Sequence, residues 1–273
     1  MPAARRRPAA LHSVFERSVH EQRRSLYSWG AGMFALALLM VSLYPTVRDN
    51  PQLSTLHESY PKALRSLFGI SDLTTGTGYL RAELFSLVAP MLVVVLAVLW
   101  GGDLIAGEED RGTIDILLAN PVSRRRIFLE KWAALVAGVS LVTAAFAVGL
   151  AIGVPAVDLH AGAGRLAAAL VATGLTGVLF GTIALGAGAA TGRRGLARGL
   201  TAVAAVGAYL LSSLAELVGW MKPLRPLSPW YHAMGVDPLA IGFSALHLLV
   251  VAAVTAVVVG AAIWAFDRRD LGV

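Results

Sequence analysis

The chain has 273 residues, of which 56% are hydrophobic, and its mean hydropathy is +0.68. This composition excludes an ordinary soluble core and predicts a polytopic membrane protein built as one membrane domain. The formal net charge is +6, but the arginines cluster between apolar runs, so membrane topology explains them and no nucleic-acid partner is expected. Cysteine is absent, which excludes disulfides, thiolate metal sites and cysteine nucleophiles.

The N-terminal stretch, residues 1–28, carries an amphipathic pattern ahead of the first apolar run. Between residues 11 and 29, apolar side chains recur at helical spacing opposite basic and polar ones. We expect an amphipathic helix lying in the membrane interface, with its basic residues toward lipid headgroups. A simple basic flank that anchors the next helix is the alternative interpretation.

Six apolar runs follow, and a helix needs roughly 20 residues to cross a bilayer. The runs are approximately residues 29–45, 82–104, 132–154, 166–190, 200–221 and 243–266. The predicted fold is therefore all-α, with six transmembrane helices over residues 29–266 and a short C-terminal tail over 267–273. A short surface helix is also expected at 60–70, in the segment after the first run.

The distribution of basic residues predicts the orientation of these helices. The segments on the side of the two termini hold most of the 23 Lys and Arg residues. Because basic residues are enriched on the cytoplasmic side, we expect both termini in the cytoplasm. The protein is expected to be a multi-pass protein of the plasma membrane.

Between the second and third apolar runs lies a charged island, residues 101–131. Gly112 breaks the chain, Thr113 can cap a following helix with its hydroxyl, and Pro121 ends that helix after about two turns. Three apolar residues share one face of it: Ile114, Leu117 and Leu118. A helix this short is marginal alone, so these side chains need a partner groove.

A second helix of the island is expected to begin at Ser123. Its first turn carries Arg124, Arg125 and Arg126, which have the wrong sign for a helix N-terminus. Something other than helix stability must therefore account for these three arginines.

The island also contains a recognisable combination of glutamate, Gly-Thr, paired leucines, proline, arginine and lysine. These residues are Glu108 or Glu109, Gly112, Thr113, Leu117, Leu118, Pro121, Arg124 and Lys131. The combination resembles the cytoplasmic loop of type-2 ABC exporter permeases, which carries a coupling helix that docks on a separate ATPase. The resemblance implies that these residues, with Ile114, couple the chain to such an ATPase. The alternative is a solvated loop whose arginines only set topology.

The resemblance extends over essentially the whole chain, and it implies a membrane subunit that works in a larger assembly. Two permease chains, identical or related, would combine with two ATPases to export a drug-like, amphiphilic or natural-product substrate. ATP and Mg²⁺ would bind to the ATPases, because no lysine of this chain follows a glycine as a Walker A loop requires. This chain is therefore expected to be no enzyme and to bind no cofactor. The alternative function is an ion-coupled secondary transporter or a non-transporting membrane scaffold.

Three further residues are candidates for function or packing. Glu216 lies within the fifth predicted span, where an ionisable group marks either a transport pathway or a hydrogen bond that fixes helix packing. Gly177 and Gly181, four residues apart in the fourth span, favour close helix packing within the chain or at a subunit interface. The six histidines are scattered singly, so no metal site is expected.

Overall fold

A computed structural model gives the structure of residues 13–50, 61, 75–112, 123–215 and 217–269. Every regular element in these ranges is helical, and six helices are long and apolar enough to cross a membrane, which confirms the predicted all-α six-span fold. They are α1 (Val14–Arg48), α2 (Gly76–Leu104), α3 (Arg124–Ala156), α4 (Ala163–Thr191), α5 (Arg194–Leu214) and α6 (Ala245–Arg268).

Shorter helical pieces flank the six spans. A π-helical turn, Arg81–Phe85, interrupts α2, and the short helix Ala106–Asp110 follows it. Between α5 and α6 the chain forms a 3₁₀ helix, a second π-helical turn and a short α-helix: Gly219–Leu227, Tyr231–Gly235 and Pro238–Ile241. The surface helix predicted at 60–70 lies outside the described residues, apart from Pro61.

The interior of the bundle is formed by α2 and α4, while α1 packs along α3. Glycines of α4 allow the close approach of α2. A Cβ atom on Gly177 would lie 2.5 Å from Cγ1 of Val93, and one on Gly181 would lie 3.0 Å from Cβ of Ala97. These two glycines therefore contact a neighbouring helix of the same chain, where a larger side chain would force the helices apart.

The predicted interfacial helix is not a separate element in the structure. Residues 14–48 form one continuous helix, capped by the Ser13 hydroxyl, which accepts from the Glu16 amide at 3.1 Å. Its 35 residues extend about 52 Å, well beyond the roughly 30 Å of a bilayer's hydrocarbon core. The first turns run beside the start of α3, where the Phe15 amide donates to Glu130 Oε2 at 3.2 Å. The amphipathic pattern arises because one face of this extension packs on the bundle.

The fifth helix differs most from its predicted bounds. It begins at Arg194 and ends at Leu214, whereas the sequence predicted residues 200–221. Gly192 ends α4 in the left-handed conformation, with φ +66° and its amide donating to Gly188 O at 2.8 Å, so α5 restarts after Arg193. Arg194 therefore stands in the first turn of α5 and not in a loop. Glu216 comes two residues after Leu214, the last residue of α5, and lies outside the described residues.

Candidate functional site

Residues from the six helices and their connections form a common surface at one end of the bundle, which we call the charged end. It consists of the start of α1, residues 103–112, residues 123–131, the α4–α5 connection with the first turns of α5, and the last turn of α6 with Arg269. The two flanks of the island, residues 103–112 and 123–131, lie on this surface. The part of the predicted coupling segment between them lies outside the described residues: Thr113, Ile114, Leu117, Leu118 and Pro121.

The most deeply buried ion pair at the charged end joins the two flanks of the island. Lys131 Nζ donates to Glu108 Oε1 at 2.6 Å and to the Leu104 carbonyl at 2.6 Å. The two side chains keep only 2% and 6% of their accessible surface. A charge left unpaired in such a place is costly, so the pair holds the end of α2 against the second turn of α3.

The next glutamate, Glu109, reaches a different helix. Both of its oxygens accept from the guanidinium of Arg269, with Nη1 at 2.9 Å from Oε2 and Nη2 bonded to Oε1. Arg269 also donates to the Ala189 carbonyl at 3.2 Å, which adds the last turn of α4 to the contact. A Cβ atom on Gly192 would lie 2.5 Å from Glu109 Oε2. Glycine at this position therefore leaves the space that the bidentate Glu109–Arg269 pair requires.

Arg124, the first residue of α3, caps the last turn of α6. Its Nη1 donates to the carbonyl oxygens of Phe266 and Arg269 at 3.1 and 2.6 Å. A cation suits the C-terminus of a helix because the unpaired carbonyls there carry partial negative charge. This contact explains one arginine that is unfavourable for the helix to which it belongs.

A more exposed cluster connects α2 to α5. Asp103 Oδ1 lies 3.2 Å from Arg194 Nη1 and 3.6 Å from Arg198 Nη2, and its Oδ2 lies 3.7 Å from Arg111 Nη1. Arg198 also donates from Nη2 to the Leu99 carbonyl at 2.8 Å. Pairs with this exposure contribute less than the buried ones, but they fix the start of α5 beside the end of α2.

Through these contacts, and through the bond from the Phe15 amide to Glu130, the described flanks of the island reach all six spans. A family model described as "ABC-2 family transporter protein" matches residues 13–271. The chain belongs to this family. No curated protein matches the chain in sequence. ABC-2 permeases are typically non-catalytic membrane subunits that work with ABC ATPase subunits, and this one is a multi-pass membrane protein.

The structure brings together four of the permease's predicted coupling residues: Glu108, Glu109, Arg124 and Lys131. Gly112 ends the short helix before the undescribed segment, and its φ of +67° favours glycine. Sequence reasoning missed Arg269 as the partner of Glu109. The available signal was charge balance, since the acidic residues of the island require cations from other segments at the same end.

A pair of histidines at the opposite end of the permease was also missed. His232 Nδ1 lies 2.8 Å from His247 Nδ1, and His232 Nε2 lies 2.8 Å from the Pro226 carbonyl. A carbonyl oxygen only accepts, so neutral His232 carries its proton on Nε2 and accepts from His247 at Nδ1. The interpretation of all histidines as isolated residues is wrong for these two, which join the Tyr231–Gly235 turn to α6.

Among the described residues no group of three or more His, Asp or Glu could hold a metal ion.

A groove of about 680 Å³ opens on the side of the permease between α3, α4 and α6. Small residues create it by leaving space between the helices: Ala144, Ala147, Gly174, Ala252 and Ala256. Its lining is mostly apolar, with a few hydroxyl groups from Ser140, Thr143 and Thr255. The threonine hydroxyls bond to carbonyls of their own helices at 2.8 Å, so they can sit in an apolar environment.

Proposed function

We propose that this chain is the membrane-spanning permease of an ATP-driven exporter, powered by a separate ATPase docked on the 107–131 loop. ATP and Mg²⁺ bind to that ATPase. The observation that supports the proposal most is the attachment of both island flanks to the bundle, above all through the buried Glu108–Lys131 pair. A loop that only set topology would have no need of such contacts.

In this proposal the flanks transmit movement from the ATPase to the spans. A displacement of residues 113–122 acts on α2 and α3 through Glu108 and Lys131. It acts on α6 through Glu109 with Arg269, and on α5 through Asp103 with Arg194. Packed helices joined by short polar contacts move as units and do not stretch. Two such permease chains, identical or related, would then alternate between open sides to move substrate between them.

The orientation that this proposal requires places the charged end in the cytoplasm of a plasma-membrane protein. It is supported by the basic residues of that end, which follow the positive-inside bias. Both chain termini lie on that side in the proposal, where a cytoplasmic ATPase can reach the island.

We assign to this exporter an amphiphilic, drug-like or natural-product substrate. The apolar groove of about 680 Å³ supports this class, since sites for drug-sized ligands typically measure about 300–1,000 Å³ and are mostly apolar. Glu216 is proposed as a residue of the transport pathway.

The proposal is tested at Leu117. Leu117→Asp places a carboxylate where an apolar groove of the ATPase is expected, and it should abolish copurification of the tagged permease with its ATPase and substrate-stimulated ATP hydrolysis. Leu117→Met preserves the apolar character and should leave both unchanged. Undiminished copurification and hydrolysis with Leu117→Asp, at matched membrane levels, would show that this helix does not couple the two proteins.

A further inference from the structure

Three consecutive arginines begin α3, and the structure gives a partner to two of them. Arg124 caps α6, and Arg126 Nε lies 2.8 Å from Glu130 Oε1, one turn along the same helix. Arg125 is exposed, and no side chain or carbonyl in the described part of the chain holds its guanidinium. A cation at a helix N-terminus opposes the helix dipole, so helix stability does not explain Arg125.

Arg125 and Arg126 line one end of a groove of about 460 Å³ between the first turn of α1 and the first turns of α3. Its apolar walls come from Phe15, Leu129 and Ala133. Residues four apart lie on one face of a helix, so Arg125, Leu129 and Ala133 follow each other along α3 over about 12 Å. The groove therefore changes from cationic to apolar along its length.

One carboxylate also lines the groove, but it is already engaged. Glu130 pairs with Arg126 through Oε1 and accepts the Phe15 amide at 3.2 Å through Oε2. Ser123 likewise turns its hydroxyl to the Arg126 amide at 3.3 Å. Arg125 is thus left as the charge that an incoming anion would meet.

The direction of the groove matches the layers of a bilayer. Ala133 stands in the long apolar run of α3, whereas Arg125 lies two turns nearer the charged end. A phospholipid has the same order, with a charged phosphate followed by an acyl chain. A protein partner approaching the charged end from water would meet Arg125 but would not reach the apolar end of the groove.

We propose that this groove binds an anionic phospholipid from the leaflet that faces the charged end, with its phosphate at Arg125 and Arg126 and an acyl chain against Leu129 and Ala133. The site needs only that the chain spans a bilayer, so it stands apart from the coupling to an ATPase. An anionic lipid is preferred over a zwitterionic one, whose ammonium group offsets the phosphate charge. One arginine near an anionic surface strengthens binding about fivefold.

The test uses the full-length permease in nanodiscs of phosphatidylcholine containing phosphatidylglycerol, with retained lipid counted by native mass spectrometry after detergent transfer. Arg125→Ala should lower retained phosphatidylglycerol about fivefold and leave retained phosphatidylcholine unchanged. Arg125→Lys keeps the charge and should retain most of the binding. Arg193→Ala is the matched control, because Arg193 is exposed at the same end but does not line the groove.

Four outcomes would overturn the proposal. Equal retention by Arg125→Ala and wild type, or an equal loss with Arg193→Ala, would mean that the groove is not a specific lipid site. Displacement of phosphatidylglycerol by inorganic phosphate would mean a simple anion site without an acyl chain. Loss of ATPase copurification in Arg125→Ala with unchanged lipid retention would assign the arginine to a protein contact.

Discussion

The buried pair of Glu108 and Lys131 gives the sharpest prediction of the structure. At 2.6 Å, two unit charges in an effective dielectric constant of 20 attract each other by about 6 kcal/mol, most of which offsets their removal from water. Lys131→Met removes the cation and takes the Lys131 ammonium away from the buried Glu108 carboxylate. We expect this variant to lose about 3–5 kcal/mol of stability.

The double variant Glu108→Leu with Lys131→Met keeps neither charge in the bundle. It should recover at least about 2 kcal/mol of the single variant's loss, because apolar side chains of similar volume can replace a buried pair. Lys222→Met is the control. It removes an exposed lysine elsewhere and should change stability by less than about 0.5 kcal/mol.

Thermal unfolding in detergent, followed by size-exclusion chromatography at matched loading, measures the order of stabilities. We expect wild type above the double variant and the double variant above Lys131→Met. A double variant no more stable than Lys131→Met would refute the argument, because the loss would then not come from a buried carboxylate that has lost Lys131. If the pair transmits coupling, ATP-driven export should fall in both variants at matched amounts of folded protein, because neither variant keeps the pair.

Further predictions follow from the orientation, from Glu216 and from the histidine pair. In this cysteine-free chain, Ser123→Cys should resist a membrane-impermeant maleimide in intact cells while Ser71→Cys reacts, and labelling of Ser123→Cys from outside would reverse the orientation. Glu216→Gln should abolish export at unchanged expression and ATPase association, whereas a fall in folded protein alone would indicate a packing role. A double-mutant cycle of His232→Ala and His247→Ala should show a coupling of about 0.5–1.5 kcal/mol in thermal stability, and strict additivity would mean that the observed contact contributes nothing.

The sequence by itself determined the class of this protein. Continuous apolar runs of about 20 residues dictate spanning helices, because a helix of that length crosses the bilayer and satisfies its backbone polar groups within its own segment. Six spans could therefore be counted from hydropathy alone. The Ser123 cap was also predictable, since its hydroxyl accepts from an amide three residues away at 3.3 Å. Both features depend on residues that are close in the chain.

Tertiary structure decided which residues meet at the charged end. Glu109 and Arg269 are 160 residues apart, and nothing in their local sequence relates them. Hydropathy placed the start of α5 too late in the chain. An arginine in the first turn of a span lowers the local mean hydropathy, even when its side chain reaches a partner such as Asp103. Hydropathy could not show that α1 is continuous either, because that depends on the packing of its polar first turns against α3. Such contacts form only when the helices are assembled. The sequence alone therefore could not show that the flanks of the island are connected to the other spans.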